Sequence, residues 1–372
     1  MKRLILVCAA LFAATPAMAQ TIVTSQTELI DNSPETPGII IQNAITDPRV
    51  AKGTVIYPCE GGGPPWRYAV GAPCPAPEPE PAPLIAPPVV TAECKDLGAS
   101  AQWTYAGNGG TYGNACIIRA MDAVPMDGAL DTPRVFQDVT VARSRHFITQ
   151  RTTSWRPFSN VTVQRVDVAS TKRGIFIRGG SHDWVIQDFR IKGIGVNTSS
   201  GDIPVGIGMS GAHNITIRRG EVSGFQTELT TDNYENADCI SNERGDSADI
   251  TDVYGHDCTD GIYDLKGTTF LDRTIGENAG HYTYRIWADA TAGTITSINP
   301  GYAHIQLAAA SSNFHVKKLV AIGKGNLVKV DKAGGTLVVE SCDLTQWTGT
   351  ARSSGAKATI TWGEGCTPLS QR

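Results

Sequence analysis

Short alternations of apolar and polar residues fill the chain from about residue 160 onward. Examples are NVTVQRVDV, DWVIQDFRI, HNITIRRGEV and NLVKVDK, and nearly all of them are bounded by Gly, Asn, Asp or Ser. A period of two residues, interrupted at short intervals by turn-forming residues, is typical of β-strands and not of helices. The pattern therefore predicts an all-β protein.

Two consecutive segments, NADCISNERG and CTDGIYDLKG, superimpose when the chain is shifted by 22 residues. The aligned pairs are Asp238 with Asp260, Ile240 with Ile262, Asn242 with Asp264, Arg244 with Lys266 and Gly245 with Gly267. A period of about 20 residues with apolar, glycine and polar columns in fixed places is typical of a parallel β-helix or another solenoid. Each column becomes a stack in space, so Asp238 is expected directly above Asp260.

The apolar residue that follows the glycine column marks the successive coils. The marker residues are Ile175, Ile207, Ile240, Ile262, Ile286, Ile305 and Val328, at intervals of 32, 33, 22, 24, 19 and 23. The two long intervals predict insertions at about 193–204 and 226–237, and such loops often wall a groove in solenoids. A β-propeller would need longer repeats with hairpin turns, and a sandwich would not hold a column match that includes charged positions.

The beginning of the chain has the features of a secretory signal. Lys2 and Arg3 form a basic start, an apolar run follows at 4–14, and Ala17-Met18-Ala19 is a small-residue cleavage site. A secreted or periplasmic protein is expected, and no segment is long and apolar enough to span a membrane. The predicted divisions are a signal peptide at 1–19, an N-terminal cap at 20–130 with a proline-rich insertion at 59–92, a parallel β-helix at 131–345 and a C-terminal cap at 346–372.

Eight of the nine cysteines remain once Cys8 is removed with the signal, and an even number in an oxidising compartment predicts disulfides. Short loops favour Cys59 with Cys74, Cys94 with Cys116, and Cys342 with Cys366. In the 22-residue register, Cys239 and Cys258 lie three columns apart on neighbouring coils, which is too far for a disulfide. They are expected to be buried free thiols.

The net charge of −4 says little by itself, but the charges are banded. Residues 227–264 hold eleven acids and one base, Arg244, whereas residues 163–220 hold eight bases and four acids. On a solenoid these segments form neighbouring bands of one surface, and the alternative interpretation is an ordinary solvated exterior. The predicted substrate-binding residues are Arg190, Arg219, Tyr263 and Arg285.

The segments NAD-C-I and T-D-G-I-Y-D-L-K-G, embedded in NITI- and NVTV-type strands, resemble the right-handed parallel β-helix proteins of the pectin-lyase-like superfamily. The resemblance covers about residues 130–345. It implies a long shallow groove on one sheet face that binds a polysaccharide. It does not specify the activity, because the superfamily includes lyases, hydrolases, epimerases and non-catalytic proteins.

The acidic cluster resembles that of the calcium-dependent uronate lyases of this fold, which hold Ca²⁺ with aspartates on successive coils in a D-D-G-x-D arrangement. Residues 260–264 have this arrangement with one extra residue and one aspartate missing, and Asp238 lies one coil before. The resemblance implies that Asp238, Asp260 and Asp264 hold Ca²⁺, which prefers about six to eight oxygen ligands. The cation would neutralise the substrate carboxylate and acidify the proton on the adjacent carbon.

A lyase also needs a base that removes this proton. Lys266 and Arg244, aligned in the repeat, are the candidates; they match no family position, and pairing with neighbouring acids is the alternative role for both. His281, Tyr284 and Arg285 on the following coil are the reserve candidates.

The same segment also resembles the polygalacturonase-like hydrolases, which carry N-T-D, D-D and G-H-G on successive coils, followed by R-I-K. The corresponding residues are Asn236-Ala237-Asp238, Thr259-Asp260 and Gly280-His281-Tyr282, at steps of 22 and 21, with His315-Val316-Lys317 as the nearest counterpart of R-I-K. Thr259 replaces one aspartate of the pair. Asp238 and Asp260 would then be the acid and the base of glycoside hydrolysis.

The preferred hypothesis is an exported, monomeric lyase that cleaves an acidic, uronate-containing polysaccharide by β-elimination with bound Ca²⁺. A β-helix glycoside hydrolase that uses Asp238, Asp260 and His281 is the first alternative, and a non-catalytic carbohydrate-binding protein is the second. Stacked aspartates at coil corners also serve as turn formers, and a lone histidine is often structural. No nucleic acid and no membrane is expected as a partner.

Overall fold

The computed structural model describes residues 85–98, 110–126, 132–150, 157–197, 203–352 except 229, 232, 233 and 244, and 357–366, together with five short strands nearer the N-terminus. The predicted signal peptide, Cys74, most of the proline-rich insertion and Arg244 lie outside the described residues. The chain divides into two units, Met1–Pro79 and Glu80–Arg372.

The first unit contains a five-stranded antiparallel sheet in the order β1-β5-β4-β3-β2. Its strands are β1 (Ile22–Val23), β2 (Leu29–Ile30), β3 (Ile39–Ile41), β4 (Val55–Cys59) and β5 (Arg67–Val70). The apolar run at 39–41 forms β3, which pairs with β2 and β4, and Cys59 ends the strand β4.

The second unit is a parallel β-solenoid of about nine turns, which confirms the predicted all-β solenoid fold. Its strands are β6 (Cys94–Asp96), β7 (Gly110–Met126), β8 (Arg134–Gln150), β9 (Ser159–Arg178), β10 (His182–Asn197), β11 (Val205–Ser210), β12 (His213–Thr227), β13 (Thr230–Thr231), β14 (Tyr234–Glu235), β15 (Asp238–Asn242), β16 (Ser247–His256), β17 (Gly261–Leu265), β18 (Thr268–Asp272), β19 (Thr274–Glu277), β20 (Tyr282–Ile286), β21 (Asp289–Ile298), β22 (Ala303–Leu307), β23 (Asn313–Gly323), β24 (Asn326–Val330), β25 (Thr336–Trp347), β26 (Thr350–Arg352) and β27 (Thr359–Glu364). Solenoid strands thus occur before residue 131 and after residue 345. A small antiparallel hairpin, β13 with β14, lies in the second predicted insertion.

Each coil contributes to three parallel sheets. In β9, Val161 and Val163 are buried, and after Arg165 the buried positions shift by one to Val166 and Val168. The shift coincides with the left-handed backbone of Arg165, whose φ is 49°, so the wall turns a corner there. We call the strand segments before this corner sheet 1, those after it sheet 2, and the segments that begin beyond the next turn, at 171–178 in β9, sheet 3.

The corner residues form a stack that we call the corner ladder. Its members are Asp138, Arg165, Asp188, Arg219, Asp252 and Arg273, and all have φ between 47° and 55°. Ion pairs join Arg165 to Asp138 and Arg219 to Asp188 at 2.8 Å, and Arg273 to Asp252 at 2.5 Å. A left-handed backbone is unfavourable for arginine. Alternation of acid and base at successive corners offsets part of this cost and favours one register.

The register of sheet 3 confirms part of the predicted coil sequence. Ile175 pairs with Ile207 and Ile207 with Ile240, as the marker residues predict. The next partner of Ile240 is Tyr263, so this step is 23 residues and the predicted 22-residue register is wrong by one. Ile262 and Tyr263 are both fully buried, and the apolar pattern therefore does not distinguish them.

Disulfides join Cys94 to Cys116 and Cys342 to Cys366, as predicted. A third disulfide joins Cys239 to Cys258, so the prediction of free thiols is wrong. Cys258 lies on the turn that leads from sheet 2 into β17, where its Cα comes within 5.7 Å of the Cα of Cys239; the predicted separation assumed that both lie in one sheet. The Cys59–Cys74 pair falls outside the described residues.

The three disulfides fit a protein of an extracellular or periplasmic compartment. Within the described part of the chain, no helix has the length and apolar content that a membrane crossing requires.

Candidate active site

A polar row runs along the outer face of sheet 3. The register aligns Ser241, Asp264, Arg285, Gln306 and Lys329 on successive coils. The residue that precedes each of them in the sequence is fully buried in the core, as are Ile240, Tyr263 and Val328. Because side chains alternate across a strand, the polar row faces outward from the core, and its members are about 4.8 Å apart.

Three carboxylates gather at this row, and we call them the carboxylate cluster. Asp238 begins β15, Asp260 precedes β17, and Asp264 lies within β17; their exposed fractions are 5%, 0% and 2%. The structure thus brings together the three acids that the sequence predicts as neighbours. Asp238 Oδ1 accepts a hydrogen bond from the backbone N–H of Gly261 at 3.0 Å.

Asp260 is held by two side chains from the following coil. The Arg285 guanidinium donates to Oδ2 at 3.1 Å, and His281 Nδ1 lies 3.3 Å from Oδ1. Arg285 and His281 are partly exposed whereas Asp260 is not, so they form the layer between this carboxylate and solvent. Hydrogen bonds from a charged guanidinium stabilise the ionised form of a carboxylic acid.

Asp264 is held by a lysine and a tryptophan. Lys266 Nζ lies 3.0 Å from Oδ2, and Trp287 Nε1 donates to Oδ1 at 2.7 Å. Lys266 also bonds Glu243 at 3.0 Å, and the Arg285 guanidinium lies 4.8 Å from the centre of the Trp287 ring. Asp264 therefore anchors the side chains that surround Asp260.

The ionisable groups of this site are strongly perturbed. Burial raises the pKa of Asp238 well above its usual range, and the carboxylates of Asp264 and Asp260 raise it further. Burial also raises the pKa of Asp264, against the opposing effect of Lys266 and Arg285. Burial alone would lower the pKa of Lys266, but Asp264 and Glu243 outweigh it and raise that pKa. Asp238 consequently retains its proton at pH values where an exposed aspartate is ionised.

Aromatic residues and a further lysine continue the row. Lys329 Nζ donates to the Tyr282 hydroxyl at 2.8 Å, pairs with Asp331 at 3.2 Å and lies 4.6 Å from the centre of the Tyr302 ring. Tyr302 is 40% exposed. The roles of Lys329 and Trp287 were not predicted from the sequence. The NLVKVDK alternation contains the signal for Lys329, but only the register assigns it to the row of Asp264.

Three predicted substrate-binding residues lie away from the cluster. Tyr263 is fully buried, stacks on Tyr284 with ring centres 5.0 Å apart, and donates its hydroxyl to backbone carbonyls at 2.9 and 3.1 Å. Arg219 belongs to the corner ladder, and Arg190 pairs with Glu221 at 3.2 Å on sheet 2. Whether a side chain faces outward or into the core depends on the position of the corner. The corner was not predicted from the sequence, so the orientations of Tyr263 and of the two arginines could not be assigned.

Of the predicted catalytic residues, His281 lies beside Asp260, and Lys266 lies beside Asp264. Arg244 is outside the described residues, and the corrected register places Glu243 opposite Lys266. Arg285, predicted to bind substrate, contacts Asp260 of the carboxylate cluster. The His315-Val316-Lys317 segment lies in β23 on sheet 1 and is not part of the site.

The side chains do not fit the predicted Ca²⁺ site. Among the residues that the structure describes, no three or more His, Cys, Asp or Glu side chains are grouped so that they could hold a metal ion. Asp260 and Asp264 bond Arg285, Lys266 and Trp287, which are donors and not oxygen ligands. Ca²⁺ needs about six to eight oxygens around one point.

No family model matches the sequence, and no curated protein matches it. Two solved structures are similar in fold: the catalytic domain of a GH87 alpha-1,3-glucanase in complex with nigerose, and a variant of that domain in complex with tetrasaccharides. Their sequence identities are 12% and 11%, each covers 81% of this chain and 72% of its own chain, and both TM-scores are 0.37. This similarity concerns the solenoid fold alone.

Proposed function

We propose that the protein is a carbohydrate-active enzyme that hydrolyses glycosidic bonds of a polysaccharide laid along the outer face of sheet 3. One observation carries the proposal. Burial and two neighbouring carboxylates raise the pKa of the Asp238 carboxyl group, and the neighbouring Asp260 accepts a hydrogen bond from the Arg285 guanidinium. Glycoside hydrolysis needs one carboxylic acid and one carboxylate on either side of the scissile bond.

In the proposed reaction, Asp238 donates its proton to the glycosidic oxygen as the bond from that oxygen to the anomeric carbon breaks. Asp260 accepts a proton from the water molecule that attacks the anomeric carbon. Both aspartates then return to their starting states by exchange with solvent. Arg285 and His281 position Asp260, and Asp264 positions Arg285 through Trp287 and its own carboxylate.

The β-elimination that the sequence favours has less support. It requires a base that is unprotonated near neutral pH, and the two carboxylates beside Lys266 stabilise its protonated form. The carboxylates proposed to hold Ca²⁺ are bonded to cationic and N–H donors.

The test is incubation of the purified protein with a panel of neutral and acidic polysaccharides, with and without EDTA. We expect new reducing ends, no absorbance from an unsaturated sugar, and the same rate in EDTA. Absorbance that EDTA abolishes would instead establish the calcium-dependent lyase. Binding without any product, across the panel, would establish the non-catalytic alternative.

Matched variants test the assignment of the two aspartates. Asp238→Asn and Asp260→Asn should each lower kcat by about 100-fold or more, since general acid–base catalysis contributes about that factor. Asp249→Asn is the control, because Asp249 is an exposed aspartate on sheet 1 of the same part of the solenoid. Full activity in Asp238→Asn would show that another group is the acid.

A further inference from the structure

A phenylalanine with two arginines beside it lies on the outer face of sheet 3. The register connects Phe176 through Gly208 and Ser241 to Asp264, one coil at each step. Three coils at about 4.8 Å place Phe176 about 14 Å from Asp264 along the solenoid axis. A polysaccharide that follows the polar row from the carboxylate cluster towards earlier coils therefore passes Phe176.

The two guanidinium groups lie close to the Phe176 ring. The Cζ atom of Arg178 is 4.1 Å from the ring centre, and that of Arg173 is 5.0 Å from it. A Cβ atom at Gly208 would come within 2.5 Å of the ring, so glycine provides the space in which the ring lies against the next coil. The coil reads Lys172-Arg173-Gly174-Ile175-Phe176-Ile177-Arg178, with three cations and no acid.

We infer that Phe176, Arg173 and Arg178 form an anion-binding subsite, here called the arginine subsite, for a carboxylate or sulfate group on a sugar remote from the scissile bond. The inference rests on the proposed function and adds the substrate class to it. A planar guanidinium stacks on an aromatic ring and still presents N–H donors in its own plane, which match a carboxylate or sulfate. Stacking on Phe176 orients Arg178 before the sugar binds, which lowers the entropy lost on binding.

Two further contacts indicate how the substrate lies. Arg173 Nε donates to the carbonyl of Ile203 at 2.9 Å, so the subsite adjoins the end of the first predicted insertion. At the opposite end of the row, Lys329 pairs with Asp331, which balances its charge. The substrate is an anionic polymer long enough to reach from Asp238 to Phe176.

Binding measurements test the subsite independently of cleavage. The protein carries Asp238→Asn, so that polymer stays intact, and its affinity is measured for polygalacturonate, a sulfated galactan and a neutral glucan. Arg178→Gln should weaken binding of the preferred anionic polymer about tenfold or more, the loss expected for charge-assisted hydrogen bonds. Arg178→Lys, which keeps the charge and loses the planar fork, should weaken it too, and Phe176→Ala should do the same. The two anionic polymers distinguish carboxylate from sulfate recognition.

Arg273→Gln and Phe270→Ala are the matched controls, since Arg273 lies in the corner ladder and Phe270 is an exposed aromatic residue on sheet 1. Neither should change the affinity. Equal losses in Arg178→Gln and Arg273→Gln would reduce the effect to general electrostatics and overturn the subsite. Binding of the neutral glucan alone would overturn it as well. If the arginine variants lose affinity as expected but the unmodified protein releases no product, the subsite stands and the proposed hydrolysis fails.

Discussion

The corner ladder and the carboxylate cluster both stack charged side chains at the spacing of the coils, with opposite results. In the corner ladder an acid alternates with a base, and the exposed fraction of the arginine side chains rises from 28% at Arg165 to 51% at Arg273. In the carboxylate cluster Asp238, Asp260 and Asp264 are neighbours, buried, and neutralised from the side by Arg285 and Lys266. Alternating charges favour a register, whereas burial, assisted by the neighbouring carboxylates, raises the pKa of Asp238, and a raised pKa suits a carboxylic acid for acid catalysis.

Removal of the Arg285 guanidinium should destabilise the carboxylate cluster and with it the folded protein. Arg285→Met leaves Asp260 and Asp264 buried without this partner, and we expect a loss of about 3–5 kcal/mol in the free energy of unfolding. Urea denaturation at pH 7 measures the loss. Arg273→Met in the corner ladder is the matched control and should cost no more than about 1 kcal/mol. Equal costs at the two positions would show that burial does not distinguish the two stacks.

The disulfide beside the cluster should have the next largest effect. Cys239 and Cys258 are 19 residues apart, so replacement of both by alanine should destabilise the protein by about 3 kcal/mol through the loop entropy of the unfolded chain. Because this bond joins β15 to the turn before Asp260, kcat should fall as well. The control is the pair Cys342 and Cys366, whose loss should cost similar stability and leave kcat unchanged. Thermal unfolding and turnover separate the two effects, and unchanged kcat in the first variant would contradict the proposed coupling.

His256 and His304 allow a second comparison, between a partly exposed hydrogen-bond network and the interior of the solenoid. Burial alone would lower the pKa of His256, but its bonds to Glu221 and Asp257 raise that pKa above 6.5. Burial lowers the pKa of His304, which bonds Ser297 inside the solenoid, to about 4. His256 thus contributes stability that is complete below pH 6.5 and is lost as the pH rises through its folded pKa. His304 contributes stability that is present above pH 6.5 and is lost as the pH falls towards 4.

Each histidine contributes a slope of at most about 1.4 kcal/mol per pH unit. Urea denaturation between pH 4 and pH 9 should show His256→Gln with a smaller loss of stability on the alkaline side than the unmodified protein. His304→Gln should have a smaller loss on the acidic side. NMR titration of the two imidazoles gives their pKa values directly, and a His304 pKa above 6.5 would contradict its assignment as a neutral buried group.

The sequence is sufficient to predict the solenoid fold and to predict that the three aspartates lie close together. Alternating residues and the repeat predict the parallel coils, and a one-residue error in register still leaves Asp238 and Asp260 on adjacent coils. The error arises because Ile262 and Tyr263 are both buried at the turn into sheet 3, so hydrophobicity does not define which one faces Ile240. The same error made Arg244, and not Glu243, the expected neighbour of Lys266.

The roles of the arginines could not be assigned without knowing where the solenoid wall turns its corner. The sequence does contain a signal for this corner, since FQD, VQR, IQD, IRR, ITD and LDR all end on a corner-ladder residue. That column has alternating charge from Asp138 to Arg273. Interpreted as a stack, it places Arg219 opposite Asp188, with which it forms an ion pair. The raised pKa of Asp238 lies beyond sequence reasoning, because it depends on the burial of this carboxyl group and on the carboxylates of Asp264 and Asp260 beside it.

The smallest expected effect is that of Asp252→Asn in the corner ladder. Asparagine tolerates the left-handed backbone of this position as aspartate does, so the change removes the ion pair with Arg273 and little else. Exposed pairs contribute about 0–1 kcal/mol, and the loss should shrink further in 1 M salt because screening weakens the pair. Asp252→Val, with a β-branched side chain at φ 54°, should cost more, through backbone strain that salt does not relieve. The salt dependence of unfolding separates the two contributions: a salt-independent loss in Asp252→Asn would mean that the corner is maintained by its backbone, and that the alternating charges add nothing to the register.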